Sequence, residues 1–179
     1  MPVMKKFEAS SDAVKVNGET ILSFVKAVPA SEDSRKEILK KYGIDNPQPG
    51  QWYSQQAWLN AFREISEKIG VTSLKLIGKA IPKNANFPPE IRETKHAFEL
   101  LDKAYKMNHK GGFIGQYKFL SFDAKKREIK MEINTPYPEE FDAGIMFGLF
   151  EKFKPAGVIR QPNIRMYKQS TGIVYTLMW

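Results

Sequence analysis

The spacing of apolar residues changes its period at Gly111-Gly112, and that change limits the fold more than any other feature of the chain. Before the glycines, apolar residues recur every three or four positions, the period of a helix face. After them they alternate, the period of a strand with one dry side. In the first regime Ile21, Leu22, Val25 and Val28 form one helical stripe, ended by Pro29. A second helix follows Ser31, with Ile38, Leu39 and Tyr42 inward and Gly43 as its stop. Pro47, Pro49 and Gly50 make the next stretch a loop. Ser54 is a suitable N-cap for a third helix running to Ile69, with Trp58, Phe62, Ile65 and Ile69 on one stripe and Gly70 just beyond. A short fourth helix spans Ser73 to about Ala80 and is stopped by Pro82. A polar loop through Asn84, Asn86, Pro88 and Pro89 then leads to a fifth helix, about Arg92 to Asn108, which presents Phe98, Leu101 and Tyr105 together.

In the second regime Tyr117 and Phe119 alternate with Gln116 and Lys118, and Ile129, Met131 and Ile133 alternate with Lys130, Glu132 and Asn134. The polar turn Asp123–Arg127 between them predicts a hairpin with one dry face. Asn134-Thr135-Pro136-Tyr137-Pro138 interrupts the ladder, and Pro138 suits the first turn of a sixth helix, Glu139 to about Lys154. There Phe141, Ile145, Met146, Phe147, Leu149, Phe150 and Phe153 cover most of the circumference, which predicts a buried central helix. Gly144 and Gly148, four apart, leave room for another backbone to come close. Strands at about Val158–Tyr167 and Ile173–Leu177 finish the chain around a turn at Ser170-Thr171-Gly172. The fold class is therefore α+β: a helical N-terminal half followed by β-β-α-β-β, with an antiparallel sheet packed against helices. Residues 1–17 are polar and predict a loose lead-in, with a strand at Val14 and Val16; residues 18–179 predict a single domain.

A chain of 179 residues can bury roughly two-thirds of its unfolded surface and needs no covalent staples. It has no cysteine, which excludes disulfides, cysteine-ligated zinc, iron–sulfur clusters and thiol nucleophiles. The first sixteen residues hold no apolar run of the signal-peptide kind, and no stretch approaches about 18 uninterrupted apolar residues. The expectation is a cytoplasmic protein with no membrane span. A net charge of +8 suggests an anionic partner only if the cations cluster. They sit beside acids instead, as in Arg35-Lys36-Glu37 and Lys125-Lys126-Arg127-Glu128, so no specific nucleic-acid binding is expected.

Three segments carry a family resemblance. Phe98–Gly112 precedes the hairpin, Asn134–Gly144 enters the apolar helix, and Thr171–Trp179 closes the chain. Over roughly Trp58 to Trp179 the order resembles the superfamily of 4-vinyl reductase domains, heme–nitric oxide binding sensor domains and Golgi transport-particle subunits. The resemblance implies helices packed on a four-stranded antiparallel sheet with a ligand cavity between them. It also implies departures. The sensor domains hold heme with a proximal histidine and clamp its propionates with Tyr-x-Ser-x-Arg. Here the matching stretch is Asn134-Thr135-Pro136-Tyr137-Pro138, followed by Glu139 and Glu140, with no arginine. The cysteines used by metal-binding reductase-type and acylated trafficking members are absent.

There is no P-loop, dinucleotide fingerprint or nucleophile elbow. His96 and His109, thirteen apart, are not a chelating pair, so no metal site is read. His109 falls where a helix ends and suits a donor to its free carbonyls; His96 reads as exposed. Glu139, Glu140 and Asp142 open the sixth helix, where negative charge complements the helix dipole. What remains is an aromatic load, most of it core. The residues expected to face a ligand are Trp58, Phe62, Phe98, Tyr105, His109, Tyr137, Phe141 and Phe150, with Tyr105, His109 or Tyr137 orienting its polar end. The sequence thus points to a sensory module that binds a small apolar or amphipathic molecule, without heme of the usual kind and with no cofactor. It leaves open a homodimer or a signalling partner. The alternatives are a reductase-like enzyme on a bulky conjugated substrate, or a ligand-free scaffold.

Overall fold

The computed structural model describes residues 3–27, 32–84 and 91–179. Three expectations lie outside the described residues: the stripe position Val28 and terminator Pro29, the helix start at Ser31, and the loop through Asn86, Pro88 and Pro89. The side chain of Ile69 lies outside them as well. Elsewhere the α+β order holds. Strand β1 (Lys15–Asn17) leads into helix α1 (Gly18–Lys26), followed by α2 (Glu32–Lys41), β2 (Trp52–Ser54) and α3 (Gln55–Asn84). Then come α4 (Thr94–Glu99), α5 (Leu101–Met107), β3 (His109–Lys110), the hairpin β4 (Gln116–Asp123) and β5 (Glu128–Asn134), helix α6 (Glu139–Phe153), and strands β6 (Asn163–Gln169) and β7 (Gly172–Met178).

The last four strands form an antiparallel sheet in the order β4-β5-β7-β6. Ile129, Met131 and Ile133 face Leu177, Tyr175 and Ile173 in register, so one face of the two central strands is continuous and dry. Helix α6 lies between that face and α3. It is buried on every side from Phe141 to Phe150, as its all-round apolarity requires. The two glycines carry out the expected role. A Cβ on Gly144 would sit 2.3 Å from the Lys75 carbonyl oxygen, and one on Gly148 2.2 Å from that of Lys79. Gly78 of α3 reciprocates against the Phe141 carbonyl at 2.2 Å. The helices α3 and α6 therefore meet backbone to backbone.

Several boundaries move. The third and fourth helices run on from one another within α3, but Gly70, at a non-helical φ of 76° and ψ of 170° that suits glycine, divides them where the break was expected. Pro82 stands inside its last turn rather than ahead of it. The fifth helix is two, α4 and α5, separated at Leu100 (φ −94°, ψ 0°). The strand expected at Val158–Tyr167 is β6, displaced to Asn163–Gln169. The N-terminal half is also not wholly helical, because β2, β1 and β3 make a small antiparallel sheet with β1 at its centre.

The segment expected as a loose lead-in is held down. Val14 and Val16 are fully buried. The Met4 amide donates to Asn134 Oδ1 at 2.7 Å and the Phe7 amide to the Pro136 carbonyl at 2.7 Å. Its polarity misled because its apolar residues are few and widely spaced, yet Met4, Phe7, Ala9, Val14 and Val16 all pack. Among the described residues no helix is long and apolar enough to cross a membrane.

Candidate functional site

The small sheet builds the site. Strand β2 ends at Ser54, whose Oγ accepts the Ala57 amide at 3.3 Å and caps α3 as expected. This sets Gln55 and Trp58 in the first turn of α3. On the other side of β1, β3 holds His109, paired in register with Val16. The end of α5 supplies Tyr105, the loop before α6 supplies Tyr137, and α6 supplies Phe141 and Ile145. Between them lies an apolar cavity of about 70 Å³, walled also by Phe24, Ile81, Leu101, Ala104 and Tyr117.

Five of the eight expected ligand residues line this cavity: Trp58, Tyr105, His109, Tyr137 and Phe141. Phe62 stands one layer behind, with its ring 5.9 Å from Tyr137 and 5.1 Å from Phe141. Phe98 is fully buried core outside the lining. Phe150 packs on Trp179 at 5.1 Å, toward the other end of α6. His96 does not reach the cavity.

One hydrogen-bonded chain crosses the pocket. His109 Nδ1 lies 2.9 Å from the Tyr105 carbonyl oxygen, an acceptor only, so this nitrogen carries the proton. The ring thus caps a carbonyl in the last turn of α5, the donor role expected of it, but as a buried neutral imidazole rather than a cation. Burial lowers its pKa to about 4, against a smaller upward pull from that carbonyl. His109 Nε2 is then the acceptor for the Tyr137 hydroxyl at 2.9 Å. The Tyr105 hydroxyl is committed elsewhere, donating to the Ile114 carbonyl at 2.6 Å. Of the two tyrosines, Tyr137 is the one facing the pocket's polar end. Tyr105→Phe is accordingly expected to lower stability by about 1 kcal/mol without any ligand, because it orphans a buried carbonyl. Equilibrium urea unfolding measures this, and an unchanged midpoint with an unchanged m-value is the contrary result.

Burial holds the phenols of Tyr105, Tyr117 and Tyr137 well above the ordinary tyrosine range. Among the described residues, no charged side chain lines the cavity. Behind it, however, stands a carboxylate that sequence reasoning placed wrongly. Asp142 does not merely complement the dipole of α6; it is fully buried. Its Oδ1 accepts the Tyr117 hydroxyl at 2.6 Å and its Oδ2 accepts Thr135 Oγ1 at 2.8 Å, with Lys6 Nζ 3.8 Å away. Burial raises its pKa to about 6 although Lys6 and both hydroxyls pull it down. A usable signal existed: an acid three before Ile145 and four before Met146, on a helix with no polar face, has nowhere to go but inward. Gln55 and Tyr117 were also missed. Tyr117 was read as inward-facing, but alternation does not show that it reaches the pocket. Gln55 carried no signal.

No family model matches this chain, and none of the curated proteins does. Solved structures do match. An oxygen-binding H-NOX domain related to soluble guanylate cyclases, in its oxygen complex, is 17% identical with a TM-score of 0.62, over 90% of this chain and 92% of that one. An H-NOX protein from S. oneidensis in the Fe(II) ligation state, carrying three alanine substitutions, is 9% identical with a TM-score of 0.65, over 90% and 95%. A mutant of T. tengcongensis H-NOX is 18% identical with a TM-score of 0.61, over 90% and 94%. The likeness at these identities is one of fold. Of the groups the C-terminal half resembles, these structures belong to the heme–nitric oxide kind, and they match the N-terminal half as well.

Heme distortion has been probed in the H-NOX family, so the lining can be tested against that group. The residues present do not fit it. A cavity near 70 Å³ falls well short of the roughly 300–1,000 Å³ of pockets that enclose ligands of drug size, and heme is larger still. Among the described residues the lining offers no lysine or arginine for propionates. Its one histidine has both ring nitrogens hydrogen-bonded. The stretch matching the propionate clamp serves the N-terminal segment instead, through Asn134 to Met4, Pro136 to Phe7 and the Thr135 carbonyl to Lys6 Nζ at 3.1 Å.

Proposed function

We propose that this chain is a small-molecule-binding sensory module that works without heme of the usual kind. The observation that carries this reading is the apolar cavity closed at one end by the Tyr137–His109 pair. An unfilled apolar void in a core forfeits dispersion contacts on every wall. Its placement where α1, α3, α5 and α6 converge lets an occupant bias how four helices pack. The H-NOX likeness supports the reading by fold only. The chain's neutral, cation-free lining argues for an apolar or amphipathic guest rather than a porphyrin dianion.

A guest that binds only the folded chain stabilises it by about 2.7 kcal/mol at a hundredfold excess over its dissociation constant. Thermal shift against a panel of small hydrophobic molecules is expected to give hits that raise the melting temperature. Mass spectrometry of a denaturing extract of the purified protein identifies any guest that copurifies. A panel with no hit and an empty extract would refute the reading. A Soret band on adding hemin, abolished by His109→Ala, would refute its heme-free part.

A further inference from the structure

Taking that pocket reading as its basis, we infer that the cavity's polar end receives a neutral oxygen acceptor, such as a ketone, amide or alcohol, on a short apolar body. The groups that would hold it are Trp58 and Gln55. Trp58 Nε1 and both side-chain polar atoms of Gln55 are buried without a hydrogen-bond partner. Both residues have zero exposure. Buried polar atoms are nearly always paired, so the two orphan donors, Trp58 Nε1 and Gln55 Nε2, call for an acceptor to satisfy them. Both groups approach the Tyr137 hydroxyl, and each favours its ionised form, though neither reaches hydrogen-bonding geometry. Tyr137 spends its own proton on His109 Nε2, leaving its oxygen toward them. A ligand oxygen lodged there would accept from the Trp58 indole N–H and the Gln55 amide. The apolar wall of Phe24, Leu101, Phe141 and Ile145 would cover its body.

The same geometry sets the ligand's charge. Asp142 stands directly behind the wall, accepting at 2.6 Å the hydroxyl of Tyr117, which lines the cavity. A carboxylate guest therefore meets a buried acid and finds no cation. A cationic guest finds one acceptor, Gln55 Oε1, but leaves both donors, Trp58 Nε1 and Gln55 Nε2, unsatisfied. Neutral acceptors are what remain. The rival occupant is water, for which the cavity has room.

The experiment uses the intact ¹⁵N-labelled chain and three probes of similar shape, small enough for a cavity of about 70 Å³: acetone, isobutene and acetate at pH 8. The indole N–H signal of Trp58 is assigned by its loss in Trp58→Phe. Acetone is expected to bind about tenfold more tightly than isobutene, which corresponds to about 1.4 kcal/mol, and to shift the Trp58 indole N–H. Acetate is expected to bind more weakly than either. Gln55→Leu, which replaces the unpaired amide with an apolar group of similar size, is expected to keep or raise the melting temperature while the tenfold preference falls toward one. If acetone and isobutene bind equally and the indole signal stays put, water satisfies these atoms and the inference fails, while the apolar-pocket reading stands. If no probe perturbs any pocket residue, both fall. A lowered melting temperature in Gln55→Leu also overturns the inference, because it shows that the amide already serves the fold.

Discussion

Gly144→Ala and Gly148→Ala are each expected to destabilise the protein by about 3 kcal/mol, although glycine-to-alanine inside a helix ordinarily stabilises by about 1 kcal/mol. The sign reverses because of what the new methyl meets. At 2.3 Å and 2.2 Å the obstacles are the carbonyl oxygens of Lys75 and Lys79, which are backbone atoms that cannot rotate aside. Relief requires α3 and α6 to separate, and that breaks contacts along both helices. The consequence extends to the pocket, because Phe141 and Ile145, which flank Gly144 on α6, line it. The measurement is the urea midpoint at constant m-value, together with binding of any thermal-shift hit. A midpoint that rises in both variants would mean that the helices do not touch through these residues.

That close approach was legible in the sequence for a physical reason. Two glycines one turn apart in an otherwise large-apolar helix conflict with helix propensity, so packing must explain them. The period change at Gly111-Gly112 was legible for a similar reason, since a 3.6-residue stripe and a two-residue alternation cannot satisfy the same geometry. The small sheet β2-β1-β3 was not legible as a sheet. Its strands are two or three residues long, too short for alternation to register, and only Val14 and Val16 hinted at one of them. Its importance is out of proportion to its size, because it brings Trp58 of α3 beside His109. The pocket was half legible. Aromatic residues on inward faces located Trp58, Tyr105, Tyr137 and Phe141, but inward-facing does not distinguish lining from core, and Phe98 and Phe150 proved to be core. Gln55 shows the harder limit. A polar residue near a helix start normally faces water, and only the tertiary arrangement buries this one, whereas the all-round apolarity of α6 already pointed Asp142 inward.

The buried pair of titratable groups gives the second large effect, which is expected to be hidden in the natural protein and exposed by one substitution. Asp142 has a folded pKa of about 6, above the ordinary carboxylate value of 3.8. As pH falls from about 6 to 4 the folded state takes up its proton first, so this group contributes stability on acidification, about 3 kcal/mol in all. His109 does the opposite. Its folded pKa of about 4 lies below the ordinary 6.5, so the unfolded chain is protonated first. Acidification from pH 6.5 to 4 therefore removes about 3 kcal/mol through His109. The two contributions oppose each other across nearly the same window, and the natural protein is expected to vary little in stability between pH 6.5 and 4. Glu64, held at about 2 by Lys41, Lys68 and Tyr42, begins to lose its contribution only below about pH 4.5. Asp142→Asn removes the rising term while keeping an acceptor for the Tyr117 hydroxyl, and its stability should fall steeply from pH 6.5 to 4. His109→Gln removes the falling term and should give a protein that grows more stable over the same range. Denaturant unfolding of the three proteins at half-unit pH steps reads both slopes. Parallel curves for all three would show that neither group is titrating from the buried position described, and that the pocket's neutral character has another origin.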